Sequence, residues 1–209
     1  RRGGPPSRGV GAGVRVGWWV PAAAPPRRAS CVGVDGRRSG DVAGAMPLSA
    51  LSDSDFYLAL DVTGQGTAAE LDRTMIHEFA HLLTLRGSQI SPDEAANRSC
   101  PIYTNELGCP GPGSYLYAWD RAFWNGYTVA DSDAERGNDK KVQQRVQRGG
   151  YVTEYAATDP AEDIAETFSE WVLGTSHPDA GTTVGRKLAF FGGYPEALAI
   201  RAHVRAVLG

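Results

Sequence analysis

Residues 75–82 read Met-Ile-His-Glu-Phe-Ala-His-Leu, and this stretch decides how the rest of the chain must fold. His77 and His81 are four residues apart, so on a helix both imidazoles project from the same face. Two imidazoles in that arrangement can bind one zinc ion, and Glu78, the next residue, can reach a water at the metal. A catalytic zinc needs a third protein ligand. The stretch therefore predicts a metal-binding helix and directs a search for one more ligand.

The flanking sequence predicts the helix that this motif requires. Thr67 and Glu70 have the spacing of a capping box, in which each side chain accepts a hydrogen bond from the other residue's backbone. Apolar residues follow at helical spacing from Leu71 onward, and Gly87 is typical of a helix end. We therefore expect a helix from Thr67 to about Leu85, with both histidines inside it.

A strand and a low-complexity segment precede this helix. Residues 56–62 alternate apolar side chains with others, which is typical of a half-buried strand. Residues 1–45 hold eight Arg, ten Gly, five Pro and two Asp, so they carry +6 and the remainder carries −9. This composition predicts a disordered arm over residues 1–45 and one domain over residues 46–209. Apart from Trp18 and Trp19, the arm lacks the aromatic residues of an RNA-binding surface, so we expect no nucleic-acid partner.

Helical patterns dominate the second half of the chain. The helix that begins after Asp159 has a capping residue followed by proline, and Gly174 ends it. The Lys140–Arg148 segment has only a thin apolar face and is interpreted as a surface segment or lid. We therefore expect a mainly helical α+β domain with a small sheet ahead of the metal-binding helix. The expected helices after that one are 115–123, 140–148, 160–173 and 195–208.

The cysteines bear on the compartment. Cys100 and Cys109 bracket a short loop, and a disulfide between them would close it at a gain of roughly 2.5–3 kcal/mol. Disulfides persist in oxidising compartments, so we expect a secreted or cell-surface protein. No apolar run approaches the ~20 residues of a membrane helix, so no transmembrane segment is expected. Cys31 is left without a predicted partner.

The third ligand is not a nearby histidine. An extended zinc signature would place glycine at position 84 and histidine at position 87, but the chain has Thr84 and Gly87. A carboxylate is the obvious alternative ligand type. The acidic face of the 160–173 helix, with Glu162, Glu166 and Glu170 at intervals of four, is the best candidate.

Glu162 has three possible interpretations from the residues alone. It could complete a capping box with Asp159, or belong to a solvated acidic face. It could instead bind zinc, with Glu166 one turn later hydrogen-bonding a ligand histidine. Asp163 is an alternative ligand within the same turn, or a further residue supporting the site.

The chain resembles a known family at this point. Tyr155-Ala-Ala-Thr-Asp-Pro-Ala-Glu-Asp-Ile-Ala-Glu-Thr-Phe168 resembles the second motif of gluzincins of the anthrax lethal factor type. There a tyrosine precedes the ligand glutamate by seven residues, and Ala-Glu and an aromatic residue follow. More broadly, residues 56–208 are similar to bacterial zinc-binding metallopeptidases, whose recurring blocks match residues 74–81 and 161–166. Residues 1–45 lie outside the resemblance, which carries no toxin function to this chain.

The resemblance implies a zincin-like domain and a site. It implies His77, His81 and Glu162 as zinc ligands, Glu78 as the general base for a zinc-activated water, and Tyr155 as a hydrogen-bond donor in the transition state. The implied activity is that of a zinc metallopeptidase, an endopeptidase rather than an exopeptidase, acting on a peptide or protein substrate. The alternative is a non-catalytic secreted zinc-binding protein or interaction module.

Overall fold

The computed structural model describes residues 43–47, 56–60, 67–91, 100–103, 108–125, 127, 139–175 and 178–208. Most of the expected arm, with Cys31, lies outside these residues. The described chain is mainly helical with small antiparallel strand pairs, which confirms the α+β prediction at that level. None of the described helices is both long and apolar enough to cross a bilayer. The α-helices are α1 (Ala68–Thr84), α2 (Tyr115–Trp119), which continues as a π-helix over Asp120–Trp124, α3 (Asp139–Arg148), α4 (Pro160–Leu173), α5 (Thr183–Phe190) and α6 (Pro195–Leu208).

A strand pair precedes α1, as expected. Strand β1 (Ala43–Pro47) pairs antiparallel with β2 (Phe56–Leu60), so that Ala45 lies opposite Leu58. The predicted strand at Phe56 is therefore confirmed. β1 spans the expected boundary between residues 45 and 46. This strand is not predicted from the sequence, because its short Gly-Ala stretch has no apolar alternation. β1 also contacts α1, which places this sheet beside the helix that carries the histidines.

The first turn of α1 is closed by the predicted capping box. Thr67 Oγ1 accepts a hydrogen bond from the Glu70 backbone N–H at 3.3 Å, and Glu70 Oε2 accepts one from the Thr67 backbone N–H at 2.5 Å. The helix ends at Thr84, with Leu85 as its C-cap. Both ends thus lie where the sequence predicts them, and His77 and His81 are well inside the helix.

The helix α4 lies antiparallel against α1. Three residues spaced by four on α1 meet three acidic residues spaced by four on α4, in reverse order, and we call these pairs the interhelix ladder. The acidic face of α4 is therefore a helix–helix contact and not a solvated surface. The pairs are Arg73–Glu170, His77–Glu166 and His81–Glu162, with N···O distances of 2.9, 2.7 and 3.4 Å.

An apolar core between α1 and α4 continues behind the ladder. Burial of this surface is the main stabilising term, at roughly 25 cal/mol per Å² of apolar area. Aromatic rings from α2 and from the end of α5 close the core on the side away from the histidines. Its members include Ile76, Ala80, Leu83, Leu116, Trp119, Ile164, Ala165, Phe168, Trp171 and Phe191.

Asp163 anchors α4 from the same side. Its Oδ2 accepts hydrogen bonds from the indole N–H groups of Trp119 (3.0 Å) and Trp124 (2.8 Å), and lies 2.7 Å from Lys187 Nζ. Lys187 is 1% exposed, and its ammonium lies 3.9 Å from the ring centroid of Tyr151. Lys187 belongs to α5, a helix that the sequence analysis does not predict. Its eight residues with an internal glycine are too short to show a clear period.

The predicted disulfide between Cys100 and Cys109 is present, with the two Cα atoms 5.7 Å apart. Cys109 belongs to β4 (Cys109–Pro110), which pairs antiparallel with β3 (Ile90–Ser91). Ile102, within the closed loop, is fully buried. The crosslink therefore ties Cys100, two residues before the buried Ile102, to strand β4.

Lys187→Met should lower the free energy of unfolding by about 3 kcal/mol, because it leaves a buried carboxylate without its cation. The measurement is urea unfolding at pH 7 followed by circular dichroism. The Asp163→Asn, Lys187→Met double variant should recover part of the loss, because the amide oxygen still accepts from the two indoles. A single variant as stable as the unmodified protein would contradict this assignment.

Candidate metal centre

Three donor atoms from α1 and α4 converge on one point. His77 Nε2 lies 3.0 Å from His81 Nε2 and 3.1 Å from Glu162 Oε2, and His81 Nε2 lies 3.4 Å from the same oxygen. A tetrahedral ion with bonds of about 2.0–2.1 Å separates its ligand atoms by about 3.3 Å. The three distances lie close to that spacing. His77, His81 and Glu162 therefore form a group that could hold a metal ion.

The hydrogen bonding of this group also fits a cation. Glu162 Oε2 is buried and has no well-aligned hydrogen bond, although it is close to both imidazoles. The short distances from this oxygen to the two imidazole nitrogens thus indicate that the three atoms are directed at one shared point and not at one another. A buried carboxylate oxygen without a partner is costly, and a cation at that point would satisfy it. The donor set of two imidazoles and one carboxylate fits a first-row divalent metal such as zinc.

A second carboxylate orients His77 from the opposite side of its ring. Glu166 Oε1 lies 2.7 Å from His77 Nδ1, and Glu166 Oε2 accepts a hydrogen bond of 2.8 Å from the Thr153 hydroxyl. With Nδ1 as the donor to a carboxylate, the Nε2 lone pair is left for the metal. Glu166 therefore lies where the sequence interpretation expects it to support a ligand histidine.

The carboxylates perturb the titration of the group in the metal-free protein. Burial lowers the pKa of His77, but the nearby Glu162 and Glu166 outweigh burial and raise it to about 9. Burial likewise raises the pKa of Glu162, but its interactions with His77 and His81 outweigh burial and lower it to about 2. A proton on His77 thus occupies the electrostatic position that a metal cation would take.

Glu78 lies one residue after the first histidine and is buried, with 6% of its surface exposed. Its charge contributes to raising the pKa of Tyr155. The structure thus places the expected base in the buried part of α1, directly after the first of the three expected ligands. A buried carboxylate next to a metal-capable imidazole could act as a general base if the group held a metal ion.

Tyr155 lies in the 3-10 turn Tyr155–Ala157 at the mouth of the site. Its ring centroid is 6.0 Å from that of His77, and its side chain is 54% exposed. Burial of the hydroxyl, together with the charges of the nearby Glu162 and Asp159, raises the pKa of Tyr155. A protonated phenol at this place can donate a hydrogen bond to a bound molecule.

The structure separates Asp163 from the expected site. Its carboxylate faces the indoles and Lys187, away from the histidines, because consecutive helical residues point about 100° apart. The capping interpretation of Glu162 holds only for its backbone N–H, which donates to Asp159 Oδ1 at 3.1 Å. Its side chain is directed to the histidines. Between the two acids of this turn, only Glu162 belongs to the metal-capable group.

Sequence reasoning missed several residues around the site. Burial and the charges of Asp159 and Glu162 raise the pKa of Tyr103, so its hydroxyl shares their electrostatic environment. Tyr103 lies in the loop closed by the disulfide, where no periodic pattern marks its position. Burial and repulsion by Glu162 raise the pKa of Asp159 to about 6, so this capping residue also belongs to the acidic surroundings. Thr153 carried no recognisable motif.

The helix α3 is attached to the turn that carries Tyr155. Arg145 donates hydrogen bonds to the carbonyl oxygens of Ala157 at 2.7 Å and Thr158 at 3.1 Å. Its guanidinium also lies 5.2 Å from the ring centroid of Trp124. Arg145 is 8% exposed. The segment interpreted from its charge as a surface segment therefore also holds one edge of the site.

Glu162→Gln should weaken Zn²⁺ binding by more than about 100-fold, beyond the loss typical for an outer hydrogen-bond partner, because it removes the anionic donor. The matched control is Glu170→Gln, two turns later on α4 in the partly exposed pair with Arg73, which should bind Zn²⁺ within about threefold of the unmodified protein. Competition with a chromophoric chelator measures both affinities. Equal losses in the two variants would mean that Glu162 is not the third ligand.

Binding of Zn²⁺ should release about one proton at neutral pH, because a ligand imidazole must be neutral and the pKa of His77 is raised to about 9. The affinity should therefore rise about tenfold per pH unit from about pH 7 to about pH 8.5 and level off above the pKa. Chelator competition, corrected for protonation of the chelator, measures this slope. A pH-independent affinity over that range would rule out a protonated His77 in the metal-free protein.

Comparison with known proteins adds no assignment to this geometry. No family model matches the chain, and neither the curated proteins nor the solved structures contain a significant match. Any function must therefore be argued from the residues of this chain. The residues that carry the argument are two imidazoles and a carboxylate around one point, with a buried Glu78 next to the first imidazole.

Proposed function

We propose that this protein is a zinc-dependent metallopeptidase with a zincin-like domain of the gluzincin type. The observation that carries the proposal is the convergence of three donor atoms, 3.0 to 3.4 Å apart, directly beside a buried glutamate on the same helix. The family resemblance of the two sequence blocks supports the same function. The spacing of the histidines and the identity of Glu78 follow the zincin pattern residue by residue.

Zinc is the metal that this donor set favours. Calcium and magnesium prefer oxygen ligands, so a site with two imidazole nitrogens does not suit either metal. The metal-capable group formed by the described residues has three members, and three protein ligands leave one coordination position for water or substrate. That count favours a catalytic site, because a structural zinc site is closed by four protein ligands.

The chain's own residues have distinct roles in peptide hydrolysis. A bound zinc ion supplies Lewis acidity, which makes water a nucleophile near neutral pH. The carboxylate of Glu78 accepts a proton from the attacking water and later gives it to the leaving amine nitrogen. The Tyr155 hydroxyl donates a hydrogen bond to the oxyanion of the tetrahedral intermediate. Glu166 keeps His77 in the tautomer that presents Nε2 to the metal.

The disulfide and the exposed turn that carries Tyr155 support a proposal for the compartment and the substrate of the enzyme. A disulfide in the described structure supports an oxidising compartment, and we propose that the protein acts outside the cytoplasm. The exposed side chain of Tyr155 marks a site edge that a polypeptide can reach. We therefore propose an endopeptidase that acts on peptide or protein substrates.

Glu78→Gln should retain zinc and lower kcat at least about 100-fold, because glutamine has nearly the same shape but accepts no proton. Zinc content is measured by atomic absorption after dialysis, and hydrolysis by mass spectrometry of a peptide library with and without chelator. Cleavage that is restored by adding Zn²⁺ back to the chelated protein shows that the activity depends on the metal.

The matched control for this experiment is Glu70→Gln in the first turn of α1, far from the histidines along the same helix. It weakens the capping box but leaves the donors of the site unchanged, so it should keep zinc and cleave peptides at the unmodified rate. Full activity of Glu78→Gln would overturn the mechanism. Zinc binding without cleavage of any library peptide by the unmodified protein would favour a non-catalytic zinc protein.

A further inference from the structure

One threonine hydroxyl joins two parts of the candidate centre that are separate in sequence. Thr153 Oγ1 donates a hydrogen bond to Glu166 Oε2 at 2.8 Å and accepts one from the Ala156 backbone N–H at 3.0 Å. The other oxygen of Glu166 lies 2.7 Å from His77 Nδ1. A continuous chain of hydrogen bonds therefore runs from a metal-capable imidazole to the backbone of the turn that carries Tyr155.

The first half of this chain determines the orientation of the carboxylate. Glu166 lies on α4 and its side chain has several rotamers, so one hydrogen bond to His77 alone would not fix the plane of its carboxylate. The Thr153 donor occupies Oε2 and leaves Oε1 for the imidazole. A hydrogen bond to a fixed carboxylate selects the His77 tautomer and the direction of its ring. Loss of such an outer partner typically weakens metal binding about 10–100-fold.

The second half determines the position of Tyr155. Tyr155 is 54% exposed, so fewer neighbours fix its side chain than fix a core residue, and the backbone of the turn contributes to its position. Among the described side chains, three hydrogen-bond the backbone of that turn: Thr153 accepts from the Ala156 N–H, Arg145 donates to the carbonyl oxygens of Ala157 and Thr158, and the Thr158 hydroxyl donates to the carbonyl oxygen of Tyr155. Of these three side chains, Thr153 is also connected to His77, through Glu166. Arg145 therefore offers a control that disturbs the same turn by a different route.

We propose that Thr153 is a positioning residue that couples metal binding at His77 to the conformation of the turn bearing Tyr155. The coupling rests on geometry alone, while its catalytic consequence rests on the proposed peptidase function. A purely local role would be that of a cap, in which the hydroxyl satisfies the Ala156 N–H and has no effect on the metal. The two roles differ in whether removal of the hydroxyl changes zinc affinity.

The experiment compares Thr153→Val, which keeps the shape and removes the hydroxyl, with Thr153→Ser, which keeps the hydroxyl. Chelator competition should show Zn²⁺ affinity at least about tenfold lower in the valine variant and within about twofold in the serine variant. Arg145→Met should keep the affinity within about twofold, since Arg145 has no hydrogen bond to Glu166 among those described. Thr153→Ala repeats the comparison if the valine variant does not fold by circular dichroism.

Hydrogen exchange measures the coupling without relying on activity. Addition of Zn²⁺ should slow amide exchange in peptides covering residues 153–158 of the unmodified protein and Thr153→Ser, but not in Thr153→Val. Unchanged zinc affinity in Thr153→Val, or equal zinc-dependent protection in all variants, would overturn the proposal. With a cleavable peptide, Tyr155→Phe should lower kcat less in the Thr153→Val background than alone, because the hydroxyl is already misplaced. An unmodified protein that cleaves no peptide would refute the proposed function, while the affinity and exchange results still decide the role of Thr153.

Discussion

The antiparallel contact between α1 and α4 is the constraint on which the rest of this structure depends. The helices meet through the interhelix ladder, whose members recur every four residues on each helix and pair in reverse order. The outer rung, Arg73–Glu170, is partly exposed and contributes little stability, since such pairs are typically worth less than about 1 kcal/mol. The inner rungs are buried, and a slip of one turn would leave carboxylates and imidazoles unpaired away from water. Apolar burial holds the two helices together, and the ladder sets their register.

In this register, carboxylates and imidazoles meet at a point where a cation or a proton is needed to compensate the negative charge. Glu162 and Glu166 lie on two sides of the His77 ring, one near Nε2 and the other near Nδ1. Without a metal their charges hold a proton on His77, which explains why the pKa of this buried imidazole is raised although burial alone would lower it. A metal ion would take over this charge compensation at Nε2. The same electrostatic arrangement thus serves the folded metal-free protein and the proposed metal centre.

Contacts on the side of α4 that faces away from the histidines explain why Glu162, and not the neighbouring Asp163, belongs to the metal-capable group. Asp163 is fixed by two indoles and Lys187 in a fully buried environment. Since successive side chains on a helix point about 100° apart, this anchor turns Glu162 toward α1. The Lys187–Asp163 pair and the apolar core therefore act on the site through the rotation of α4. Arg145, which donates to two carbonyl oxygens of the adjoining turn, and Thr153, which accepts from the Ala156 N–H, then hold that turn, and this places Tyr155 at the edge of the same group.

The sequence by itself determined the local features of this protein. The capping residues Thr67 and Asp159, the strand at Phe56, the helices of the second half and the four-residue spacing of the histidines all depend on neighbours in the chain, and the structure agrees with them. The Cys100–Cys109 crosslink could also be predicted, because the two cysteines bracket a short loop. Strand β1 and helix α5 could not, since a short Gly-Ala strand and an eight-residue helix with a glycine have little periodicity of their own.

Local sequence patterns leave some residues with more than one possible role, and only the tertiary structure decided between those roles. Glu162 fits a capping box, a solvated face or a metal ligand equally well until α4 is placed against α1. Asp163 is chemically as suitable as Glu162, and its exclusion depends on Lys187, which lies 24 residues further along the chain. Thr153 and Tyr103 gain their places near the site through contacts distant in sequence. The physical reason is that hydrogen bonding and burial act through space, whereas sequence periodicity reports only which face of its own element a residue occupies.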